Sequence, residues 1–323
     1  MFPVSFLAIG IALILSLLSG CSDDPAIINP STDDKRPAKR DNRLRVVGEF
    51  IFEDGSTFEG DLADGKPDGF GQRRFVNGDL YKGNFANGRQ SGEGLMLYRS
   101  DSYLIRYEGG WKADMPHGSG TMTNVDTSTR KGLWMSGAFI RGTMKTAEMI
   151  VYKGIWTEDR FLRGVVEFPD GNTFTGSWED GDYGEGTLKN KNGDHYVGAF
   201  QNNLYHGSGI LERQNGEIYV GDFLDNLYHG VGYLEYPDEK IYAGDFIQGK
   251  PHGAGRQKDP SGVEYVGSWH SGERQGRGVL DFGNGERFEG TFLEGLAVDG
   301  QYFSSDGTSI RSYQQENGEW TNR

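Results

Sequence analysis

An aromatic-x-Gly-x-aromatic pattern recurs along most of this 323-residue chain, and its period limits the possible folds more than any other feature. Successive copies begin 22 or 23 residues apart, except for one step of 26 and one of 45. They begin at Phe58, Tyr81, Tyr107, Tyr152, Phe174, Tyr196, Tyr219, Tyr242, Tyr265 and Phe288. The double step contains a degenerate copy in which Arg130 replaces the first aromatic residue. So short a period indicates one supersecondary unit per repeat, stacked into a solenoid.

Each repeat has the pattern of a β-hairpin. Residues i, i+2 and i+4 share one face of a strand, so every first strand presents ring, glycine and ring together. Glycine weakens a strand unless something packs over its bare backbone, and a neighbouring ring is the expected occupant. Asn-Gly pairs such as Asn192-Gly193 and Asn215-Gly216 favour tight turns. The sequence therefore predicts an all-β fold, an elongated solenoid of about ten stacked antiparallel hairpins over residues 46–323.

The tryptophans all occupy the second aromatic position of the repeat, two residues after a glycine. They are Trp111, Trp134, Trp156, Trp178, Trp269 and Trp320. Exposed tryptophans would suit a sugar-binding platform, but a shared repeat position favours a column of packed rings. We call this predicted column, formed by both aromatic positions of every repeat, the aromatic spine.

Composition narrows the classes of function. Glycine contributes 51 residues and aromatic side chains 13%, which suits short strands and tight turns and does not suit a disordered chain. The net charge of −14 would repel phosphate backbones, so no nucleic acid partner is expected. The single cysteine, Cys21, excludes an internal disulfide.

The N-terminus has the sequence pattern of a targeting signal. An apolar run from Phe6 to Leu18 is too short to span a bilayer comfortably and ends in Leu18-Ser19-Gly20-Cys21. This ending resembles the lipobox of bacterial lipoproteins, although no Lys or Arg precedes the run. The resemblance implies a signal peptide over residues 1–20, and a membrane anchor made by acylation of Cys21. The alternative is a plain secretory peptide or an uncleaved anchor with an incidental cysteine.

Residues 21–45 are polar, contain proline and predict a flexible tether. By the same resemblance, Ser22 after the cysteine favours the outer membrane, facing the periplasm, although Asp23 and Asp24 follow closely. A basic cluster interrupts the acidic chain at Lys35, Arg36, Lys39, Arg40, Arg43 and Arg45. It is interpreted as a solvated linker or as a contact for anionic headgroups or peptidoglycan carboxylates.

The repeats resemble MORN (membrane occupation and recognition nexus) repeats from near Gly48 to the C-terminus. The residues that carry the resemblance include Tyr219-Val-Gly-Asp-Phe223 with His229-Gly-Val-Gly232. Four histidines precede the Gly-x-Gly element, at His117, His206, His229 and His252. Histidine is common there in the family, which implies a structural role. A metal-binding column is the alternative, but no carboxylate or cysteine recurs beside them to complete a ligand set.

No sequence element predicts chemistry. The Gly-x-Gly elements do not continue as nucleotide-binding loops, and no nucleophile elbow surrounds Ser119 or Ser208. We therefore expect a non-enzymatic protein with no catalytic residues, no metal site and no cofactor.

One stretch, from Asn124 to Tyr152, breaks the repeat. The aromatic residue is lost at Arg130, the Gly-x-Gly element is lost after Trp134, and Gly137 and Gly142 stand out of register. The stretch is also rich in apolar residues, including Phe139, Ile140 and Met144. We interpret it as a decayed repeat, which a solenoid tolerates. The alternative is a specific binding contact made by those three side chains, which requires them to be exposed.

The sequence thus favours a binding protein. Its repeat surface would engage a protein partner, a second copy of the chain or the cell wall. The alternative is a structural spacer or assembly scaffold without a discrete ligand.

Overall fold

The computed structural model describes residues 43–99, 103–316 and 319–322. Cys21, the predicted signal peptide over residues 1–20 and nearly all of the predicted tether over residues 21–45 lie outside the described residues. Within the described part every regular element is a β-strand, and no helix there has the length and apolar character needed to span a bilayer.

The strands of this part are short and follow one another closely. The first are β1 (Arg45–Ile51), β2 (Thr57–Ala63), β3 (Lys66–Arg74), β4 (Leu80–Ala86), β5 (Arg89–Leu97), β6 (Leu104–Lys112), β7 (Met115–Asn124), β8 (Thr129–Met135), β9 (Ala138–Lys145), β10 (Val151–Thr157), β11 (Arg160–Glu167), β12 (Thr173–Glu179) and β13 (Asp182–Lys189). The remainder are β14 (His195–Gln201), β15 (Leu204–Glu212), β16 (Ile218–Leu224), β17 (Leu227–Glu235), β18 (Ile241–Ile247), β19 (Lys250–Lys258), β20 (Glu264–His270), β21 (Glu273–Asp281), β22 (Arg287–Leu293), β23 (Leu296–Phe303), β24 (Ser309–Glu316) and β25 (Glu319–Asn322).

Each strand pairs antiparallel with the next strand along the chain, both within a hairpin and between hairpins. Gly221 of β16 lies opposite Gly209 of β15 on one side and Gly232 of β17 on the other, so the recurrent spacing of glycines becomes a row across the sheet. The predicted all-β solenoid of antiparallel hairpins is confirmed, and its hairpins join into a single open sheet.

Two kinds of turn alternate along the sheet. A two-residue turn closes each hairpin from β2–β3 to β22–β23 with both residues at positive φ, as at Asp225 (50°) and Asn226 (70°), which is the type I′ geometry that matches strand twist. A five-residue connection leads to the next hairpin, as at residues 213–217, where the Gly216 amide donates to the Arg213 carbonyl at 2.9 Å. Asn192-Gly193 and Asn215-Gly216, the pairs that predicted turns, lie in these longer connections. Most tight turns use other pairs, and Asn87-Gly88 is an Asn-Gly pair in a tight turn.

The rings form the predicted aromatic spine on one face of the sheet. Tyr219 is fully buried, and its ring meets Phe223 edge-on at 5.0 Å and Phe246 of the next repeat at 5.1 Å. The Tyr219 hydroxyl donates to the Asp222 carbonyl at 2.9 Å, so the one polar atom of the ring is satisfied. Four spine tryptophans are also buried, each with 5% exposure or less: Trp111, Trp134, Trp156 and Trp269.

The glycines of the first strand let the spine ring lie against the sheet. A Cβ atom added to Gly221 would stand 2.6 Å from the Gly232 Cα and 2.6 Å from the Tyr219 hydroxyl oxygen. No real side chain fits that space. The sequence predicted that a neighbouring ring covers each glycine. In the structure that ring belongs to the same hairpin as the glycine.

The buried core is divided into two clusters along the sheet. One extends from Phe58 to Trp156, with Phe161 packed against it, and the other extends from Phe174 to Phe292. The division falls among β10–β13, and β10 begins at the end of the irregular stretch found in the sequence.

Candidate ligand-binding groove

The hairpins on either side of residues 130–195 share one detailed geometry. Their second strand has nine or ten residues, as in β15, and bulges after the glycine row. The bulge places a glycine in the left-handed region, with φ of 60° at Gly207, 57° at Gly230 and 58° at Gly253. Glycine adopts this conformation without steric cost, so the His-Gly-x-Gly element of the repeat is the sequence of the bulge.

Hydrogen bonds link successive repeats in these regions. The indole Nε1 of Trp111 donates to the Gly94 carbonyl at 3.1 Å, and Trp269 donates to the Gly255 carbonyl at 3.2 Å. At the tight turns, the Gly249 amide donates to the Tyr228 carbonyl of the preceding hairpin at 2.9 Å. These bonds fasten each hairpin to its neighbour in addition to the strand pairing.

Three consecutive hairpins in the centre are built differently. Their second strands, β9, β11 and β13, have eight residues each, and none contains the His-Gly bulge. Gly142 follows Trp134 by eight residues, whereas Gly120 follows Trp111 by nine. β23 also has eight residues but stands alone. We call β8–β13 and their turns the central hairpins.

The shorter strands leave two indole groups without acceptors. The Nε1 atoms of Trp156 and Trp178 are buried and have no hydrogen-bond partner within the described part of the chain. Leaving a buried donor unpaired costs about 1–3 kcal/mol, so each of these groups weakens the connection between its repeat and the preceding one.

A groove of about 710 Å³ opens on the spine face at this point, where the two core clusters meet. It is lined by Met144, Thr146, Tyr152, Trp156, Arg160, Phe161, Leu162, Trp178, Glu179, Asp180 and Gly181. The Trp178 ring lies 6.0 Å from Tyr152 and 5.9 Å from Phe161, whereas Tyr219 and Phe246 lie 5.1 Å apart. The spine is therefore looser here than in the regular repeats.

The groove combines an apolar floor with a charged rim. Arg160 lies between carboxylates on the rim, with Nη1 at 3.4 Å from Asp180 Oδ1 and Nη2 at 3.9 Å from Glu158 Oε2. Aromatic walls with a few polar groups are typical of sites that hold small molecules or extended segments of partners. The floor suits an apolar or aromatic side chain, and a carbonyl or hydroxyl oxygen on the same ligand would suit the unpaired indole groups.

The irregular packing of the spine begins at Arg130. It occupies the first aromatic position of its repeat, and its Nη1 reaches Asp159 Oδ1 at 2.8 Å while its buried Nε has no acceptor in the described residues. The Phe139 ring partly compensates for the missing aromatic residue. It lies 5.1 Å from Trp134 and 5.6 Å from Trp156, tilted by 50° against both rings.

The three side chains considered for a binding contact have different surroundings. Phe139 is 1% exposed and belongs to the core, so it offers no surface to a partner. Ile140 is half-buried in the bulge after Phe139. Met144 is half-buried, packs against the core and lines the groove. Only Met144 of the three touches the candidate site.

Two details of the irregular stretch need correction. Gly142 is not out of register, because it lies opposite Gly132 and Gly154 and continues the glycine row. Gly137 has a different role, since Ser136 and Gly137 form the tight turn between β8 and β9 with φ of 48° and 87°. The irregularity lies in a shorter bulge that lacks the His-Gly pair, and it extends through β13 instead of ending at Tyr152.

Sequence reasoning missed most of the groove. Tyr152, Phe161 and Trp178 look like ordinary members of the repeat, because their positions match the pattern. The signal that could have found them is the spacing of eight residues between the second aromatic residue and the second glycine, repeated in three successive hairpins.

The recurrent histidines lie against the tight turn of the following hairpin. His117 Nδ1 stands 3.4 Å from the Ser136 amide and His252 Nδ1 stands 3.4 Å from the Ser271 amide, both at weak hydrogen-bond distance. His206 Nδ1 stands 3.7 Å from Asp225 Oδ1. Across residues 43–99, 103–316 and 319–322, no three His, Cys, Asp or Glu side chains are grouped closely enough to hold a metal ion. These contacts give the histidines a place in the packing of repeats.

The chain is remotely similar to several solved structures. A mutant of the TCP10 domain of Danio rerio CPAP is 12% identical, with a TM-score of 0.20 over 83% of this chain and 99% of that chain. The CPAP G-box domain is 14% identical, with a TM-score of 0.25 over 70% of this chain and all of the other. A search of curated proteins finds no match.

A family model, described as the MORN repeat, matches the chain in two blocks. The matched residues are 58–80, 81–103, 107–129, 196–218, 219–240, 242–264 and 265–287. The gap between the blocks, residues 130–195, coincides with the central hairpins and the groove. The chain therefore carries seven MORN repeats, three before the central hairpins and four after them.

Proposed function

We propose that this protein is a non-enzymatic, lipid-anchored envelope protein that presents its repeat sheet for protein or cell-wall binding, with the central groove as the binding site. MORN repeats suggest a repeat-based binding or scaffold role. The observation that supports a discrete site is the opening of the spine at Trp156 and Trp178, two buried donors without acceptors beside a groove of about 710 Å³.

The anchor rests on the sequence Leu18-Ser19-Gly20-Cys21. Acylation of Cys21 would anchor the protein stably, because two or more acyl chains bind a membrane firmly whereas one chain does so only marginally. The anchor would lie in the outer membrane, with the protein facing the periplasm. In cell fractionation, Cys21→Ala should move the protein from the membrane to the soluble fraction. An unchanged membrane fraction would contradict the anchor and would leave the groove hypothesis intact.

The groove is tested by capture with a matched pair of variants. Leu162 lines the groove and is 38% exposed, whereas Leu227 is 48% exposed in a regular repeat outside it. Leu162→Glu should abolish capture of a partner from envelope extract, or sedimentation with purified peptidoglycan, by placing a charge among aromatic walls. Leu227→Glu should leave both intact, and both variants should melt at the wild-type temperature.

The alternative is a spacer without a ligand. It is favoured by the unbroken strand pairing through the central hairpins, which keeps the sheet continuous whether or not anything binds. A spacer would tolerate exchange of β8–β13 for three regular hairpins in a functional assay of the envelope, whereas a binding protein would not.

A further inference from the structure

The face opposite the aromatic spine carries a line of cations in the central hairpins. Each of four successive strands contributes one exposed basic residue directly before its row glycine. They are Lys131 of β8, Arg141 of β9, Lys153 of β10 and Arg163 of β11. The groove lies on the other face of the sheet, so these residues take no part in it.

Strand register sets the spacing of the cations. Lys131 and Lys153 both lie opposite Thr143, and Arg141 and Arg163 both lie opposite Ile155. The four residues therefore alternate between two neighbouring rows. With strands about 4.8 Å apart, the line crosses about 14 Å of sheet.

These cations are largely free of local carboxylates. Within the described residues, Lys131, Arg141 and Arg163 have no ion pair, and Lys153 pairs only with Glu167, Nζ to Oε1, at 2.5 Å. Both partners of that pair are nearly half-exposed, so water and salt weaken the attraction and another anion can replace it.

Neutral hydroxyl groups border the line on both sides. Ser119 and Thr121 of β7 lie opposite Leu133 and Lys131. On the far side, Thr175 and Ser177 of β12 lie opposite Val165 and Arg163. The nearest strands thus add hydrogen-bonding groups without adding negative charge.

The regular repeats show no such line. The equivalent positions of β14–β17 hold Val197, Ser208, Val220 and Val231, and those of β4–β7 hold Lys82, Glu93, Glu108 and Ser119. In a chain of net charge −14, four aligned cations confined to the central hairpins indicate a local site for an anion.

We propose that this line binds an acidic polysaccharide lying across the strands, with its carboxylates on the four cations. The line is one cation wide, which fits a single polymer strand. A bilayer or a broad acidic surface would extend past the adjacent strands and would also meet Glu108 of β6 and Glu185 of β13. The interior strands have no free backbone edge to which a peptide could add as a strand.

The surroundings of the line also suit a polysaccharide. Hydroxyl groups can bond to the sugar hydroxyls, and the apolar side chains of Leu133 and Ile155 can pack against sugar rings. The proposal depends on neither the groove nor the anchor.

The test uses the purified full chain and fluorescently labelled polygalacturonate, with binding followed by anisotropy. Binding should weaken steeply with added salt, since screening shortens the range of charge attraction. The double substitution Arg141→Gln with Arg163→Gln should weaken binding at least tenfold, whereas the control Lys82→Gln should not change it. The basic cluster of the tether is present in every variant, so differences among them report the sheet face alone. Equal binding by the double variant would overturn the proposal.

Three competitor ligands identify the class of anion. Poly-L-glutamate, phosphatidylglycerol vesicles and single-stranded DNA are each tested against wild type and the double variant. Weaker binding of all three than of polygalacturonate supports the polysaccharide. If any of them binds at least as tightly through Arg141 and Arg163, the line is a site for that class and the assignment to a polysaccharide is wrong.

Discussion

The regular repeats and the central hairpins share one strand topology but differ in side-chain packing. The regular repeats cover residues 58–129 and 196–287, and the central hairpins lie between them. In the regular repeats a nine- or ten-residue second strand bulges at a glycine, the rings close up and the indole groups bond to the preceding repeat. In the central hairpins each second strand has eight residues, and the spine opens. A change of one residue per hairpin therefore separates closed packing from a groove while every strand stays paired.

The difference concerns side-chain packing far more than backbone pairing. Repeat arrays are stabilised by each unit and its contacts with the next, so a weak junction between units is tolerated when the junctions on either side are strong. The division of the core into two clusters at β10–β13 shows where that junction lies. We expect the regular repeats to supply most of the stability and the central hairpins to supply the sites.

High pH should unfold the regular repeats. Burial, followed by the nearby Glu93 carboxylate, raises the pKa of Tyr107 to about 12, and burial also raises the pKa of Tyr219. The unfolded value is about 10, so the folded state favours the neutral phenol. The stability from these phenols is complete below pH 10 and is lost as the pH rises towards 12. Phenol absorbance and circular dichroism should change together across this range, and phenol ionisation with the fold intact would contradict the account.

Removing a spine ring should cost more in a regular repeat than in the centre. Tyr219→Ala should lower the free energy of unfolding by about 3–5 kcal/mol, because it leaves a cavity between Phe223 and Phe246. Tyr152→Ala should cost about half as much, since that ring is half-buried beside the open groove. Urea denaturation measures both values, and equal losses would show that the spine is uniform.

Filling a row glycine should destabilise the sheet by an intermediate amount. Gly221→Val would place a branched side chain against Gly232 and Tyr219, and overpacking of this kind costs about 1–3 kcal/mol. Val231→Ala, at a site 67% exposed on the other face, serves as the control and should change stability little. An unchanged melting temperature for the valine variant would exclude close packing of the ring over the glycine row.

Restoring the missing residue should close the groove. We suggest replacing residues 161–164 with the five residues found at 205–209, which contain the His-Gly bulge. If the indole of Trp178 then gains its acceptor, the free energy of unfolding should rise by about 1 kcal/mol. Ligand capture should be lost at the same time. A variant that is stabilised and still captures its partner would show that the groove is not the binding site.

The sequence was sufficient to predict the fold. The repeat period sets one hairpin per repeat, and the alternation of aromatic residues and glycine along a strand puts the rings and the row glycines on one face. It placed the interruption near Arg130 correctly. It did not identify the tight turns, since positions such as Asp225-Asn226 adopt positive φ without the Asn-Gly signature. It also missed the groove, because the consequence of one absent residue depends on how Trp156 and Trp178 meet the carbonyl groups of another hairpin.

Two spine indoles are unpaired while their equivalents in other repeats are bonded, and the open groove depends on this difference. Exchange of the indole N–H protons in deuterated solvent, followed by nuclear magnetic resonance with assignment by single Trp→Phe variants, measures this directly. The signals of Trp111, Trp134 and Trp269, which donate to backbone carbonyls at 3.1–3.2 Å, should persist. Those of Trp156 and Trp178 should exchange much faster. Equal protection at all five positions would contradict an open spine in the central hairpins.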